Sequence, residues 1–377
     1  MFKFIAIFYI FVAASSAFTI PNVLNFQNRP LQFGAKELGL RLISTNDYAP
    51  PVWMTEPQIQ LLKIQGKKFI DVTDEQNFNP QLFSVERPAI PKDVSHQDEV
   101  KNLLKKLSLS NLRTTLTKFT SFRNRYYRSK YGVQSASWLY TYISDVIASS
   151  KSNITLIKYK HDWEQFSIIA RFPGTTFSNE TIVVSAHQDS INAWLPSIGR
   201  APGADDDGSG TVSILEAFRV LAASNYAPKR TVEFHWYSAE EAGLLGSQAV
   251  AREYRKLGRI VGGVLHYDMT GWAGGKEEVM GVITDYVDKE LVALVIRLIE
   301  NYVSIPWKYT KCGYACSDHA SWTKNDYPSA IATEARFEDT NHNIHSSDDT
   351  IDKLNFEHML EFSKLAVGFA VEMGYAH

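Results

Sequence analysis

The sequence predicts an α/β fold: a three-layer sandwich whose mainly parallel, mixed central sheet is flanked by helices. Three observations carry this. From Asp98 onward, short β-like apolar runs alternate with helical periods, the pattern of a sheet covered on both faces. The 377 residues are 45% hydrophobic and 12% aromatic, enough to bury a large core. Three of the apolar runs also end in polar residues, where open α/β sheets bind ligands, outside the carboxyl ends of their strands.

The chain opens like a secretory signal peptide, assigned to residues 1–17. Lys3 supplies the basic start, Phe4 to Ala14 the apolar centre, and Ser15-Ser-Ala17 the small residues that permit cleavage. That centre is shorter than the ~20 residues of a membrane span. No later stretch qualifies, so a secreted, extracellular protein without a membrane partner is expected. Residues 18 to about 90 carry no candidate ligand and end in a Pro-containing stretch, Glu86-Arg-Pro-Ala-Ile-Pro91, within which the segment 18–88 is bounded. Such a segment suggests a removable pro-segment, with an ordinary N-terminal subdomain as the other reading. Within it, Glu56 to Asp71 has room for one helix and a short strand.

The remaining residues, 89–377, form the main domain. Helical periodicity runs through 98–119 and 133–149, where Trp138, Leu139, Ile143 and Val146 mark one face. Strand-like runs follow near 155–159, 166–171 and 181–186, and a helix spans Thr211 to Ala222. Strands at 231–237, 261–267 and 279–284 then alternate with helices at 245–257 and 288–303. A strand near 329–333 and a helix at 354–373 close the chain. No internal repeat interrupts the order.

A net charge of -2 gives no global attraction to nucleic acid, and none is expected as a partner. The locally basic stretch from Lys101 to Lys130 has Leu103, Leu104, Leu107 and Leu112 at helical spacing, which reads as a solvated helix face. The only two cysteines lie in Cys312-Gly-Tyr-Ala-Cys316. In a secreted chain an even count favours a disulfide over a thiolate metal pair. Two sequons, at Asn153 and Asn179, fit a glycosylated protein.

The chemistry lies at the strand ends. Thr181-Ile-Val-Val-Ser-Ala-His187-Gln-Asp189 ends a β-like run in a histidine, with a carboxylate two residues on. A ligating imidazole needs such a partner to fix its tautomer. Asp205-Asp206-Asp207 sits in a Gly-rich turn ahead of a helix, and three adjacent aspartates repel unless a cation lies among them. Glu240-Glu241 follows another strand; adjacent side chains diverge, so one can hold metal while the other acts as a general base. Asp268 ends a third strand, and His345 lies in a polar loop. Two histidines with several carboxylates make a nitrogen–oxygen donor set suited to zinc or a similar ion. One carboxylate could bridge two of them. EF-hand, His-Glu-x-x-His, Gly-x-Ser-x-Gly, P-loop and dinucleotide signatures are absent.

The ordered set His187-x-Asp189, Pro-Gly-Ala-Asp-Asp-Asp-Gly-Ser-Gly, Ser-Ala-Glu-Glu-Ala-Gly, Asp268-Met-Thr, Cys-Gly-Tyr-Ala-Cys-Ser-Asp-His and Ile-His345-Ser-Ser-Asp-Asp-Thr resembles the secreted leucine aminopeptidases of fungi and bacteria. The likeness spans residue 95 to the C-terminus. Gly39-Leu-Arg-Leu-Ile43 is similar to the fungal pro-segment. The resemblance implies a zinc-exopeptidase-like fold and two Zn²⁺ per chain sharing Asp206. It puts His187 and Asp268 on one ion, and Glu241 and His345 on the other. It further implies Glu240 as general base, Asp189 as partner of His187, Tyr314 as oxyanion donor, and a Cys312–Cys316 disulfide fixing that tyrosine's loop. The expected substrates are peptides with a free N-terminus, leucine-like at the first residue, with Met269 and Tyr286 as candidate pocket residues. A monomer is the simplest expectation. Rival readings are a single-zinc glutaminyl cyclase-like acyltransferase and a non-catalytic binding module of the same fold. A dimeric deacylase with an inserted lid finds no room for its lid between Glu241, Asp268 and His345.

Overall fold

The computed structural model describes residues 32–376. The expected signal peptide and the first part of the expected pro-segment lie outside the described residues. Helix α1 (Gln32–Glu37) leads to a small antiparallel sheet. In it β1 (Arg41–Ser44) lies between β2 (Val52–Met54) and β3 (Ile70–Asp71). Helix α2 (Glu56–Ile64) and β3 are the helix and short strand expected within 56–71. Their partners β1 and β2 were not expected, being only four and three residues long.

The single helix expected over 98–119 is two, α3 (Gln97–Leu104) and α4 (Leu109–Phe119). Ser108 makes the break. Its backbone is extended and its hydroxyl accepts from Asn111 N at 3.3 Å, an N-cap that starts a new helix. Helix α5 (Lys130–Ala148) follows.

The main sheet then builds from β4 (Thr155–Tyr159), β5 (Ser167–Phe172), β6 (Phe177–His187), β7 (Arg230–Tyr237), β8 (Ile260–Tyr267), β9 (Met280–Ile283), β10 (Trp307–Thr310) and β11 (Ser329–Thr333). Its order is β10-β9-β11-β8-β6-β7-β5-β4. Pairs β7–β6, β6–β8, β8–β11 and β9–β10 are parallel, and β4–β5, β5–β7 and β9–β11 antiparallel, so the sheet is mixed as expected. Connecting helices are α6 (Gly208–Ala223), α7 (Leu245–Lys256), α8 (Lys289–Tyr302), α9 (His319–Lys324) and α10 (Phe356–Tyr375). None of the described helices is long and apolar enough to cross a membrane.

Strand β6 shows why its apolar run is continuous. Ile182, Val184 and Ala186 enter one core with residues of α6 and α10, while Val183 between them enters a second core with Val250, Val264 and Trp322. A strand buried on both faces has no solvent side to alternate toward. This double burial holds β6 rigidly between β7 and β8, and its last residue is His187.

A buried polar network crosses the sheet away from that end. The Glu233 carboxylate accepts from Arg171 Nε at 2.7 Å and Tyr254 Oη at 2.8 Å, and meets His235 Nε2 at 2.7 Å. Burial would raise its pKa, but His235, Arg171 and Tyr254 outweigh that and bring it from 4.5 to about 2. A carboxyl lowered on folding stabilises above its unfolded value and loses that contribution as pH falls through the folded one. Thermal melts should therefore show stability falling as pH drops from 4.5 toward 2. Glu233→Gln should melt lower at neutral pH and show a shallower acid slope.

Candidate metal centre

Every candidate ligand sits at one end of the sheet. His187 closes β6, Asp268 directly follows β8, and Glu240 and Glu241 lie in the turn after β7. The turn before α6 brings Asp206, and the loop before α10 brings His345. Two triads result, His187–Asp206–Asp268 and Asp206–Glu241–His345, each with ligand atoms within 4.8 Å of one another. Asp206 belongs to both. Its Oδ1 lies 3.2 Å from His187 Nε2 and its Oδ2 lies 3.0 Å from His345 Nε2. His187 Nε2 is also 3.6 Å from Asp268 Oδ1, and His345 Nε2 is 3.0 Å from Glu241 Oε2.

The three consecutive aspartates have three different surroundings. Asp207 caps α6 through Gly210 N at 2.9 Å and accepts from Met269 N at 3.1 Å and His187 N at 3.2 Å, tying β6 and β8 to the helix. Asp205 accepts from Gly271 N at 3.0 Å and Asn341 Nδ2 at 2.9 Å. Only Asp206 points its carboxylate at the histidines. Its backbone N–H, with that of Asp205, is held by the Asp349 carboxylate at 3.0 and 2.9 Å. The peptide between Asp206 and Asp207 is cis.

Asp189 faces His187 Nδ1 at 3.4 Å and accepts the backbone N–H groups of Glu240 at 3.0 Å and Glu241 at 3.3 Å. One carboxylate thus lies against the imidazole and fixes the glutamate turn. Ala239, Leu244, Met269 and His345 all hold positive φ (61°, 63°, 62° and 57°) around the site. Such backbone persists where surrounding structure over-determines it.

The electrostatics ask for cations. Burial disfavours charge on His187, yet Glu240, Asp189, Asp206 and Asp268 raise its pKa well above the ordinary value. Burial, opposed by His187 and reinforced by Asp268, Asp318 and Glu241, pushes Glu240 well up. Asp206 is lowered against its burial by the two histidines. Both ring nitrogens of His187 and the Glu241 Oε1 are buried without a hydrogen bond. Buried polar atoms left unpaired at the centre of a carboxylate cluster fit metal coordination.

The triads open onto a cavity of about 460 Å³. Glu240 and Tyr314 line it, with Leu244, Met269, Ile283, Ile331 and Phe337 as apolar wall. Cys312 and Cys316 are disulfide-bonded. Asp285 accepts the N–H groups of Cys312 at 3.2 Å and Gly313 at 2.7 Å, fixing the loop that presents Tyr314. Burial, followed by Glu240 and Asp268, raises the tyrosine's pKa, so its hydroxyl stays a donor. Tyr286 is not in the wall. Its hydroxyl bonds Asp47 of the N-terminal segment.

Two features went unread in the sequence. The cavity is also lined by Lys63, Lys67, Lys68 and Phe69 of the N-terminal segment, with Lys68 Nζ 4.1 Å from the ring centres of both Tyr314 and Phe337. Arg125, fully buried on the Phe119 ring, donates to Gln188 O at 2.8 Å, to Gly203 O at 2.9 Å and to Pro202 O. It therefore clamps the chain after His187 to the turn that carries Asp206. Gly203 makes room for it: φ is +53°, and a Cβ would lie 2.8 Å from Arg125 Nη2. Arg125→Met leaves the buried Gln188 and Pro202 carbonyls without their donor and takes one of two donors from Gly203 O, which keeps Gly208 N at 3.0 Å. The variant should lose about 3 kcal/mol or more in calorimetry and bind metal ~10–100-fold more weakly in chelator competition.

Residues 167–370 match the profile of peptidase family M28. Leucine aminopeptidase 1 of Coccidioides posadasii (strain RMSCC 757 / Silveira) is 46% identical over 377 residues, covering 96% of each chain. Leucine aminopeptidase 1 of Uncinocarpus reesii is 49% identical over 344 residues, covering 86% of this chain and 87% of its own. Among solved structures, the LapA aminopeptidase of Legionella pneumophila is 33% identical with a TM-score of 0.80, covering 89% of this chain and 94% of its own.

Proposed function

The chain belongs to peptidase family M28 and is an aminopeptidase, and from that premise we propose a secreted, monomeric di-zinc enzyme that removes leucine or other hydrophobic residues from peptide N-termini. One observation carries the metal count: the two oxygens of Asp206 face two different histidines, at 3.2 and 3.0 Å. His187 and Asp268 would hold one zinc, Glu241 and His345 the other, with Asp206 shared. When bound, zinc lowers the pKa of water to about 7 and polarises a carbonyl. Glu240, in the cavity wall but in neither triad, takes the water's proton and returns it to the leaving amine. Tyr314 donates to the carbonyl oxygen as negative charge develops there, a contribution of the kind whose loss costs ~10²–10³ in rate. Asp189 keeps His187 in its tautomer. The substrate's α-amine is drawn to the carboxylates, which restricts cleavage to chain ends. The apolar wall around Met269 suits a leucine-like side chain.

Residues 1–17 act as the signal peptide and 18–88 as a pro-segment, with 89–377 the catalytic domain and Asn153 and Asn179 glycosylated. Support for the pro-segment is its place on the cavity. Asp71 N donates to Gly243 O at 3.2 Å and Arg41 donates to Ala242 O, so β1 and β3 rest on the turn carrying Glu240 and Glu241. Removing the segment would take Lys63, Lys67, Lys68 and Phe69 away from the cavity and open it.

The test is turnover of leucine p-nitroanilide beside its N-acetyl-blocked analogue. Activity on the free amine alone, abolished by chelation and restored by zinc, is the expected result. Equal turnover of the blocked compound would exclude an aminopeptidase. One zinc per chain with cyclisation of N-terminal glutamine would favour the acyltransferase.

A further inference from the structure

We infer that the loop 191–199 is a binding subsite for the part of the peptide beyond the scissile bond, and that it selects apolar residues there. The inference rests on the aminopeptidase reading. Trp194, Leu195 and Ile198 are 70%, 53% and 64% exposed, three large apolar side chains within five residues. Exposed apolar clusters on a soluble protein mark contact surfaces.

The loop that carries them is tightly held. Asn192 Oδ1 accepts from Trp194 N at 3.1 Å and Leu195 N at 3.0 Å, while its amide donates to Arg200 O at 2.9 Å. Arg123 Nε donates to Ile198 O at 2.6 Å, and Asn124 Nδ2 to Gly199 O at 2.9 Å. The apolar side chains are thus presented on a fixed frame.

The occupant follows from continuity with the cavity. Ile191, at the start of the loop, lines it beside Ile344 and His345. Ala193 N donates to His345 O at 2.9 Å, so the loop and the second triad share a hydrogen bond. An aminopeptidase takes one residue into its pocket, and the rest of the peptide must leave over the rim. At this rim the Ala193 carbonyl accepts the side-chain amide of Gln60, from helix α2 of the N-terminal segment. A substrate backbone N–H is the same kind of donor. Once the segment departs, the acceptor is free for the emerging chain, and Trp194, Leu195 and Ile198 lie next to it in sequence.

The experiment uses enzyme recovered from the medium of cells expressing the full chain, and three substrates: Leu-Phe-Leu, Leu-Gly-Gly and leucine p-nitroanilide. In wild type, kcat/KM for Leu-Phe-Leu should exceed that for Leu-Gly-Gly by on the order of 10-fold, the scale of apolar-pocket discrimination. In Trp194→Ser/Leu195→Ser, the ratio of Leu-Phe-Leu to Leu-Gly-Gly should fall by a similar factor, toward one. Equal wild-type rates on the two tripeptides would overturn the inference and leave the aminopeptidase intact. No turnover of leucine p-nitroanilide would overturn both. A variant that changes the sedimentation coefficient while keeping the wild-type ratio would assign the loop to a second copy, and would overturn it too.

Discussion

Glu240→Gln is expected to lower kcat on leucine p-nitroanilide by roughly 10²–10⁴, the range for losing a positioned general base, while KM and bound metal stay near wild type. The argument is geometric. Glu240 belongs to neither triad, so its loss removes no ligand. Its backbone is fixed by the N–H bond to Asp189 Oδ1 at 3.0 Å, which glutamine retains. The amide preserves shape and cavity volume but cannot accept a proton. A fall in kcat with KM unchanged indicates an interaction made in the transition state and not in substrate binding. Zinc measured on the same sample separates this from metal loss. Wild-type kcat in the variant would take Glu240 out of the reaction.

The clustering of the candidate ligands is legible in the sequence because most of them lie at strand ends. His187, Glu241 and Asp268 each follow an apolar run, and the runs became neighbouring strands β6, β7 and β8. The sheet supplied the convergence that sequence separation concealed. Asp206 could be singled out from its neighbours only through resemblance. Which of three adjacent aspartates faces the histidines depends on Gly210 N, Met269 N, Gly271 N and Asn341, all donors brought in by the fold. Arg125 gave no local signal, since its partners are backbone carbonyls, and any residue has one. The Lys63–Phe69 lining likewise depends on how one sheet rests on another turn. Strand β10 carries no signal of its own because four residues at a sheet edge, two of them exposed and one buried, are too few to show alternation. The α3–α4 break was legible in Ser108, an N-cap residue inside an otherwise periodic run. Tyr286 lies outside the cavity wall, and an aromatic beyond a buried strand fits packing as well as binding.

Asp206→Asn should abolish more than any other single ligand change, because it alone touches both triads. A carboxylate can offer one oxygen to each of two cations. An amide has one oxygen, and its nitrogen has no free lone pair to give. Whichever way the amide turns, one triad is left with two protein ligands, and the other keeps a neutral donor in place of an anionic one. Zinc bound per chain should fall after dialysis, and activity by ~10³ or more, since rate scales with the population of fully loaded centres. Asp268→Asn and Glu241→Gln each disturb one triad, and excess zinc should restore part of their activity. The same addition should do little for Asp206→Asn. Thermal shift gives a readout independent of turnover: a ligand that binds only the folded state raises the melting temperature with its concentration, so the zinc-induced rise should shrink most in Asp206→Asn. If that variant kept the wild-type shift and zinc content, the shared carboxylate would not be the hinge of the centre. Two separate sites, each complete without Asp206, would then have to be found among the remaining ligands, and His187 with Asp268 alone is too few for one.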